Sequence, residues 1–578
     1  MKKQSIFLVT ILSILTSCVV TSPNSSSQNN PNNSAPSSTS SEIVVKDDGT
    51  ITEEDKAYPV VNDEFDYNDM LDGEFDIGKW YRNDLKALTM PDPFVLTVEE
   101  DNGDEVYYVF GTTDRYGSKH FDCHETTNFN EFTVHSVIDD QNPNLWYQGS
   151  DLSKYAPEVY EIDDTYYLYY SAVNKNNGIR YISVMTSDNP AGPYVENFAN
   201  RPTFDHITNT NINLSVLDQT IFIDDDGRMY MYYSVYDSGI MQYIVGVELT
   251  SPTVADWSTY KILARPGKQR PNDSKKLLTW EDMNASGFSV NEGPFMLKAP
   301  DGYYYLTYSV NHYPDKFYTV CYALSDSPLG DFVKPYTNGG TWTNVFFGYA
   351  GDKTGTVHSQ WSGFMSGTAH HCFFKSGDQY MIGYHAHKNR TGGTVNDARL
   401  FAMDYVFFSE DGTPFTRGPT YSIQPLPGKI SGFENIAPYA KMNVDGVINA
   451  NRLVDDFVVE HYNLPQEQNK EATLPAGKSY IEFVFSNNYL IGGIAIYNSA
   501  FYNKAMHDDI SFINMMNGNA IINGSFNSMD YVNDDKEFIF PGSAYTFDFA
   551  EVETNRIVIE FDVEKEVNLN EIVILGYM

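Results

Sequence analysis

The chain has 578 residues, with 38 basic and 77 acidic side chains and a formal net charge of −39. Because the acidic residues are spread along the chain, this charge argues against nucleic acid and anionic lipid as partners and tolerates a neutral polysaccharide. The 43 tyrosines and 36 phenylalanines suit both β-structure and stacking on sugar rings. The four cysteines, Cys18, Cys123, Cys321 and Cys372, are too scattered for a disulfide framework or a zinc site.

The N-terminus has the pattern of an export signal. A charged start, Met1–Lys3, precedes an apolar run over Ile6–Leu15 that is too short to span a bilayer. The residues that follow, Leu-Thr-Ser-Cys, end at Cys18 and resemble a bacterial lipobox. Residues 1–18 are therefore predicted to be a lipoprotein signal peptide, with Cys18 acylated and the protein anchored on the extracellular face of the cell membrane. A plain signal peptide with an incidental cysteine is the alternative.

Two segments separate this signal from the first repeat. Residues 19–45 are rich in Ser, Asn and Pro and are predicted to form a disordered tether, because they offer almost no apolar surface to bury. Residues 46–85 are acidic and aromatic, and we interpret them as an entry segment that lies on the following domain.

A repeat organises the next 340 or so residues. Five stretches share one form: a polar residue, an apolar strand, an acidic or glycine-containing turn and a Tyr-rich strand. Their second strands are marked by Tyr108, Tyr167, Tyr230, Tyr305 and Tyr380, which subtraction places 59, 63, 75 and 75 residues apart. Each interval holds a four-stranded sheet with loops, and radial repetition of such sheets gives a propeller. The predicted fold is all-β, with a five-bladed β-propeller.

In a propeller the first strand of each blade lines the central channel. The residue that opens each first strand should then face the axis, and these residues are Asp92, Glu158, Asp218, Glu292 and His370. Any one of them alone is explained by a solvated turn. Five ionisable residues at one equivalent position favour a functional axis.

Five motifs carry a resemblance to a known family. They are PDPF at 91–94, YAPEVYEIDDTYYLYYSA at 155–172, LDQTIFIDDDG at 217–227, NEGPFMLK at 291–298 and GTAHHCFF at 367–374. In order and spacing they resemble glycoside hydrolase family 43. The resemblance implies a five-bladed catalytic propeller over residues 86–427 that hydrolyses arabinofuranosyl or xylosyl bonds with inversion.

The resemblance also implies three catalytic carboxylates. Asp92 matches the family's general base and Glu292 its general acid, and inversion needs such a pair about 6.5–9.5 Å apart. Asp218 matches the third carboxylate, which orients the acid and raises its pKa by like-charge repulsion. Gln219 departs from the pattern, since the family often has proline after the third carboxylate.

Substrate contacts are expected from several residues. Tyr155 replaces a tryptophan that is usual in the family and is expected to contact the sugar, while Glu158 is equally a channel contact or a structural acid. Arg399 resembles the family's late arginine that reaches the substrate, with a surface ion pair as the alternative. Trp361 and Phe364 lie in a loop where they either stack on a sugar or pack in the core.

His370 matches a histidine on the propeller axis that the family commonly places near a calcium ion or a water cluster. One histidine among oxygen ligands is a poor transition-metal pattern, so calcium or no metal is expected there. The adjacent His371 is expected to be a neighbour of the site rather than a second ligand. No organic cofactor is expected.

The acid motif reads Glu-Gly-Pro, which resembles exo-acting arabinofuranosidases and xylosidases more than endo-arabinanases. Insertions at Lys268–Asp282 and Tyr336–His358 would favour exo action by walling the channel into a pocket. The expected partner is an arabinose- or xylose-containing polysaccharide or oligosaccharide. An endo-arabinanase, a non-catalytic glycan-binding lipoprotein and a fructosidase-type propeller are the alternatives.

Residues 428–578 lack the tyrosine repeat and show short alternating strands that predict a β-sandwich. Runs such as YIEFVF and NRIVIEFDV resemble the discoidin-type, galactose-binding-like module. Phe501 and Tyr502 are the candidate sugar contacts. A sandwich that only buttresses the propeller is the alternative.

Overall fold

The computed structural model describes part of the chain. The described residues are 75–83, 88–112, 121–138, 145–147, 154–205, 214–237, 241–282, 288–314, 317–337, 343–348, 365–388, 398–416, 419–420, 422–456, 471–499, 512–517, 520–521 and 544–578. The predicted sites at Cys18, Trp361, Phe364, Phe501 and Tyr502 lie outside them, as does the tether. No helix within these ranges is long and apolar enough to cross a membrane.

Five four-stranded antiparallel blades follow β1 (Trp80–Tyr81) along the chain, and a short parallel pairing joins the third and fourth of them into one sheet. Blade 1 consists of β2 (Phe94–Glu99), β3 (Glu105–Phe110), β4 (Asp122–Thr126) and β5 (Thr133–Ser136). Blade 2 consists of β6 (Lys154–Ile162), β7 (Thr165–Val173), β8 (Arg180–Ser187) and β9 (Val195–Glu196). Blade 3 consists of β10 (Ser215–Ile223), β11 (Met229–Asp237), β12 (Met241–Ser251) and β13 (Val254–Ala264).

The last two blades complete the set. Blade 4 consists of β14 (Ser289–Lys298), β15 (Tyr304–Val310), β16 (Thr319–Ser325) and β17 (Val345–Phe347). Blade 5 consists of β18 (Met365–Ser376), β19 (Gln379–Lys388), β20 (Leu400–Phe408) and β21 (Pro414–Thr416). A 3-10 turn, Thr279–Glu281, precedes blade 4. The first strands contact one another in the closed order β2, β6, β10, β14, β18 and back to β2. The predicted all-β, five-bladed propeller is confirmed.

The Tyr-rich second strands lie between the first and third strands of each blade. They are buried on both faces because every blade packs against a neighbour on each side; in β7, Leu168, Tyr169 and Tyr170 are all fully buried. β-branched and aromatic side chains fit such a two-sided surface. This packing explains why the tyrosine repeat marks the blades.

Each first strand carries a residue with left-handed backbone at the same place. Its φ is 53° at Asp92, 44° at Ala156, 55° at Asp218, 53° at Gly293 and 47° at His370. In blades 2 to 5 the ladder between first and second strands shifts register there, and in blade 1 the residue lies just before β2. A β-bulge of this kind bends the strand and re-aims a side chain. The five residues with positive φ define one equivalent position in the five blades.

The sequence-based assignment of that position is wrong in two blades. Ala156 and Gly293 occupy it, so Glu158 lies two residues after the bulge and Glu292 one residue before it. The ionisable residue is the visible feature at the start of each first strand, whereas the backbone repeats at the residue with positive φ. The axis therefore carries three ionisable side chains at the equivalent position rather than five.

The ring closes through the segment before blade 1. Met90 N–H donates to the Arg399 carbonyl at 2.9 Å, and Phe401 N–H donates to the Leu88 carbonyl at 2.8 Å. Further upstream, β1 pairs with β22 (Gln424–Pro425) after blade 5. The N-terminal segment is thus fixed on blade 5.

The C-terminal domain begins with a one-turn helix, Gly428–Ser431, and two 3-10 turns, Ala437–Tyr439 and Ala450–Val454, lie farther along it. Its strands are β23 (Glu434–Asn435), β24 (Lys441–Asp445), β25 (Ala472–Leu474), β26 (Gly477–Asn498), β27 (Phe512–Asn517), β28 (Ala520–Ile521), β29 (Ala544–Val563) and β30 (Val567–Tyr577). The long strands β26 and β29 pair along most of their length, with register shifts that divide them into two halves. One half of β26 also pairs with β24 and the other with β30, so the sheet bends around one apolar core. The predicted C-terminal sheet domain is confirmed; its discoidin-type resemblance stays a prediction.

This domain packs on the propeller through Trp80. The indole is fully buried in an apolar cluster with Ile423, Tyr497 and Val573. Its Nε1–H donates to Asp548 Oδ1 at 2.7 Å, and the Tyr497 hydroxyl donates to the Ile423 carbonyl at 2.6 Å. The entry segment is therefore part of the interface between the two domains.

Candidate active site

Asp92 is held at the axis by partners from several elements. Arg399 Nη1 donates to Asp92 Oδ1 at 2.6 Å, and the Thr112 hydroxyl donates to Oδ2. His370 Nδ1 lies 3.1 Å from Oδ1. The ring-closing bond from Met90 to the Arg399 backbone is what brings the guanidinium to this place.

These partners keep Asp92 charged. Burial raises the pKa of Asp92, but attraction to Arg399 and His370 and the hydrogen bonds from Thr112 and Arg399 outweigh it. The pKa of Asp92 therefore lies below its ordinary value of 3.8. An ionised carboxylate at neutral pH is the form that a general base requires.

Glu292 is buried on the blade 4 side of the axis. Gln242 Nε2 donates to Oε2 at 2.9 Å, and the Tyr318 hydroxyl donates to Oε1 at 2.9 Å. Burial raises the pKa of Glu292 to about 7, and the charge of Asp92 adds to this effect while the two hydrogen bonds oppose it. Glu292 thus keeps a proton to higher pH than an ordinary glutamic acid, as a general acid must.

Asp218 stands beside Glu292. Its Oδ2 accepts the Gly293 N–H at 3.4 Å. Burial, followed by the charges of Glu292 and Asp92, raises the pKa of Asp218 well above its ordinary value, and Arg180 partly offsets the rise. Glycine suits position 293 because its φ is positive and a Cβ there would lie 3.2 Å from His370 Nδ1, a tight contact.

The structure therefore brings the three predicted catalytic carboxylates together and gives them different charges. Asp92 is ionised, while Asp218 and Glu292 share a tendency to stay protonated. Environments that push the pKa values of neighbouring carboxyl groups apart assign one group as base and another as acid. Such a site can activate a water molecule and protonate a leaving oxygen.

His370 reaches the axis but faces Asp92. Its Nδ1 lies against the carboxylate, its backbone N–H donates to the Ser309 hydroxyl at 2.8 Å, and burial lowers its pKa. Within the described ranges, no group of three or more His, Cys, Asp or Glu side chains is spaced to hold a metal ion. The calcium ion stays a prediction. His371 instead bonds Thr307 Oγ1 through Nε2 at 2.7 Å.

The partners of Glu158 within the described residues are Tyr160 and Thr220 rather than the three carboxylates. It accepts a short hydrogen bond from Tyr160, whose hydroxyl lies 3.0 Å from Thr220 Oγ1. Burial raises the pKa of Glu158 to about 8, so it is neutral below that pH. Tyr155 directly precedes the bulge residue Ala156 and is half-buried. Arg180 Cζ lies 5.4 Å from the centroid of its ring.

Four supporting residues escaped the sequence analysis. Gln242 and Tyr318 hold the acid, Thr112 holds the base, and His385 Nδ1 accepts the Asp92 backbone N–H at 3.3 Å. His385 also stacks on Tyr318, with ring centroids 5.5 Å apart and an interplanar angle of 18°. Of these four, only Gln242 is marked by the local sequence, because it is a polar residue near the start of an otherwise apolar strand. The others lie on second and third strands or their flanks, where no motif marks them.

Known proteins with similar sequences identify the family of this chain. The model of the family described as glycosyl hydrolases family 43 matches residues 81–414. A Beta-D-galactofuranosidase xynD of Aspergillus niger is 27% identical over 43% of this chain and 57% of its own length. A Xylosidase/arabinosidase 43A of Humicola insolens is 26% identical over 46% of this chain and 75% of its own length. A solved thermostable family-43 glycoside hydrolase is 26% identical, with a TM-score of 0.45, over 60% of this chain and 99% of its own.

The curated relatives are matched only in part, since the chain spans little more than half the length of the Aspergillus niger protein. The family match, in contrast, covers more than half of this chain and includes Asp92, Asp218, Glu292, His370 and Arg399. The chain belongs to glycosyl hydrolases family 43.

Proposed function

We propose that the protein is an inverting glycosidase in which Asp92 activates water and Glu292 protonates the leaving oxygen. The observation that carries this proposal is the opposite perturbation of the two pKa values, below 3.8 for Asp92 and about 7 for Glu292. Between these values one group is a base and the other an acid. Asp218, neutral beside Glu292, orients the acid and avoids a second negative charge next to it.

The substrate we propose is an α-L-arabinofuranosyl or β-D-xylosyl bond in a plant polysaccharide or its oligosaccharides, cleaved from the chain end. The name of the Humicola insolens relative, a xylosidase/arabinosidase, supports the sugar class. The Glu-Gly-Pro sequence at Glu292–Pro294 supports exo action. The excess of acidic side chains fits an uncharged substrate.

The proposed location is the extracellular face of a bacterial membrane. The support is sequence alone: an apolar signal ends in Leu-Thr-Ser-Cys at Cys18, and a tether of small polar residues follows. Metabolic labelling of the cells with an alkyne fatty acid tests it. Label on the wild type and none on Cys18→Ala supports the anchor.

The test of activity compares wild type with Glu292→Gln on aryl α-L-arabinofuranoside, aryl β-D-xyloside and debranched arabinan. Glu196→Gln is the matched control, because burial raises the pKa of Glu196 to about 7 too, but that residue bonds Tyr170 and Ser183 on the outer edge of blade 2. We expect hydrolysis of one aryl glycoside, retained by the control. Glu292→Gln should lose most of the turnover of an unactivated glycosidic bond, since proton donation contributes about 10²–10⁴-fold.

Proton NMR of the first product tests inversion, since the released sugar should have the opposite anomeric configuration to the substrate. Short oligomers from arabinan, with no turnover of aryl glycosides, would identify an endo-arabinanase instead. A folded wild type inactive on all three substrates would contradict the proposal.

A further inference from the structure

A stack of three side chains lies beside the carboxylates at the junction of blades 2 and 3. Arg180 Cζ is 5.4 Å from the ring centroid of Tyr155 and 5.5 Å from that of Tyr236. Tyr155 directly precedes the bulge residue of blade 2, and Tyr236 pairs with Ser215 at the start of the first strand of blade 3. This Tyr155–Arg180–Tyr236 stack therefore lies at the same end of the channel as the catalytic carboxylates.

The guanidinium of Arg180 contacts two tyrosine rings but is not bonded to an acceptor among the described residues. Its backbone N–H donates to Ser215 Oγ at 3.2 Å, but among the described residues its side chain makes no ion pair and no hydrogen bond. The chain has about twice as many acidic as basic side chains, 77 against 38. A half-buried arginine that lies over two aromatic rings, with no carboxylate at ion-pair distance among the described residues, has its donors available for a ligand.

Arg180 is also near enough to the site to act on it. Its charge opposes the rise that burial and Glu292 cause in the pKa of Asp218. Arg399 forms the second arginine–tyrosine pair of the site, with Cζ 4.9 Å from the Tyr313 ring, but it is bonded to Asp92 on the blade 5 side. The two arginines thus lie on different sides of the ring, one committed to the base and one uncommitted.

We propose that the Tyr155–Arg180–Tyr236 stack binds the sugar residue on the leaving-group side of the scissile bond. This inference rests on the proposed function, because the leaving group departs from the side of Glu292 and Asp218, away from the water held by Asp92. The ligand class is a neutral pentosyl residue of the polysaccharide chain. Its hydroxyl and ring oxygens accept from the guanidinium, and its C–H face packs on a tyrosine ring.

The test compares Arg180→Met with wild type on two substrates of the same glycosyl sugar, the aryl glycoside and the linear trisaccharide. Methionine keeps the apolar packing between the rings and removes the donors. We expect kcat/KM for the trisaccharide to fall about 10–100-fold, the range for one hydrogen bond from a charged donor. The aryl glycoside should change by less than about threefold, because it has no sugar there to lose contact with.

Arg228→Met is the matched control. Arg228 lies over the Tyr230 ring at 5.7 Å, at the other end of the strand that carries Tyr236, and it pairs with Asp226. It should leave both substrates unchanged. Equal losses on both substrates in Arg180→Met would mean that Arg180 acts through Asp218 or the cleaved sugar, and no loss on either would make the stack structural. Either result overturns the inference.

A binding measurement separates this inference from the proposed function. Calorimetric titration of Glu292→Gln with the trisaccharide should show binding that weakens by a similar factor when Arg180→Met is added. Equal affinity with and without Arg180 would overturn the inference. Weakened binding together with a wild type that hydrolyses nothing would keep the sugar site and reject the catalytic role.

Discussion

Replacing Tyr318 by phenylalanine should move the alkaline limb of the pH–rate profile to higher pH. The Tyr318 hydroxyl donates to Glu292 Oε1 at 2.9 Å and opposes the rise in the pKa of Glu292. The hydrogen bond favours the ionised form, so its loss leaves the proton on Glu292 at higher pH. The acid must be protonated to act, and the limb follows the pKa of the Glu292–Asp218 pair.

The size of the shift follows from the bond. A hydrogen bond to a charged group contributes about 1.5–3 kcal/mol, and 1.36 kcal/mol corresponds to one pKa unit, so the limb should rise by about one to two units. The aromatic ring stays, so the stack on His385 at 5.5 Å is kept. Activity at the optimum should fall because a weaker acid donates less readily.

The assay is kcat/KM against pH on the aryl glycoside that the wild type cleaves, between pH 4 and 9. Tyr308→Phe is the control, since Tyr308 is equally buried but donates to Glu281, behind blade 4. That variant should lose stability and keep the wild-type limb. An unmoved or lowered limb in Tyr318→Phe would refute the assignment of Glu292 as the acid.

Three further changes test other contacts of the fold. The free energy of unfolding of Glu292→Gln should rise relative to that of the wild type between pH 4.5 and 7, by up to about 3 kcal/mol. The reason is that the pKa of Glu292 is higher in the folded than in the unfolded chain, so the wild type loses stability as this group deprotonates. Thermal unfolding across this pH range measures the difference, and a constant difference would contradict the prediction. Arg399→Met should raise the pKa of Asp92 and move the acidic limb of kcat/KM upward, with a loss of about tenfold or more at the optimum; an unchanged limb would mean that Arg399 does not set the charge of the base. Lys334→Met leaves the fully buried Glu281 without its cation and should cost about 3–5 kcal/mol in urea unfolding, and adding Glu281→Gln should recover part of it.

The sequence predicts the propeller well because its information is periodic. The Tyr-rich second strands recur at regular intervals, and their burial on both faces makes the repeat a direct consequence of blade packing. The carboxylates at Asp92, Asp218 and Glu292 were found for a related reason, since each lies in a short motif at the start of a first strand. A single sequence therefore identifies the residues whose positions are set by local strand patterns.

The supporting residues could not be predicted because they depend on contacts between distant parts of the chain. Thr112 reaches Asp92 across 20 residues, His385 across 293 and Arg399 across 307. No local pattern encodes which second or third strand will lie behind a given carboxylate. Arg399 was recognised through resemblance alone, and Arg180, with no motif around it, was missed.

The register error at Glu158 and Glu292 has a physical origin that also explains the site. An alignment on acids treats the side chain as the repeated feature, but the repeated feature is a bulge with positive φ, which any of aspartate, alanine, glycine or histidine occupies here. A non-glycine residue held in that region costs about 1–3 kcal/mol, so four such residues in one ring are a sizeable strain. The ring places Asp92 and Asp218 at equivalent residues of positive φ, whereas the acid enters from the preceding residue because Gly293 leaves the bulge of blade 4 without a side chain. Glu292 instead bonds Gln242 and Tyr318 from the blade 3 and blade 4 strands, whereas Arg399 bonds Asp92 and only partly offsets the rise in the pKa of Glu292. Burial without a bonded cation is what keeps Glu292 protonated while Asp92 stays charged.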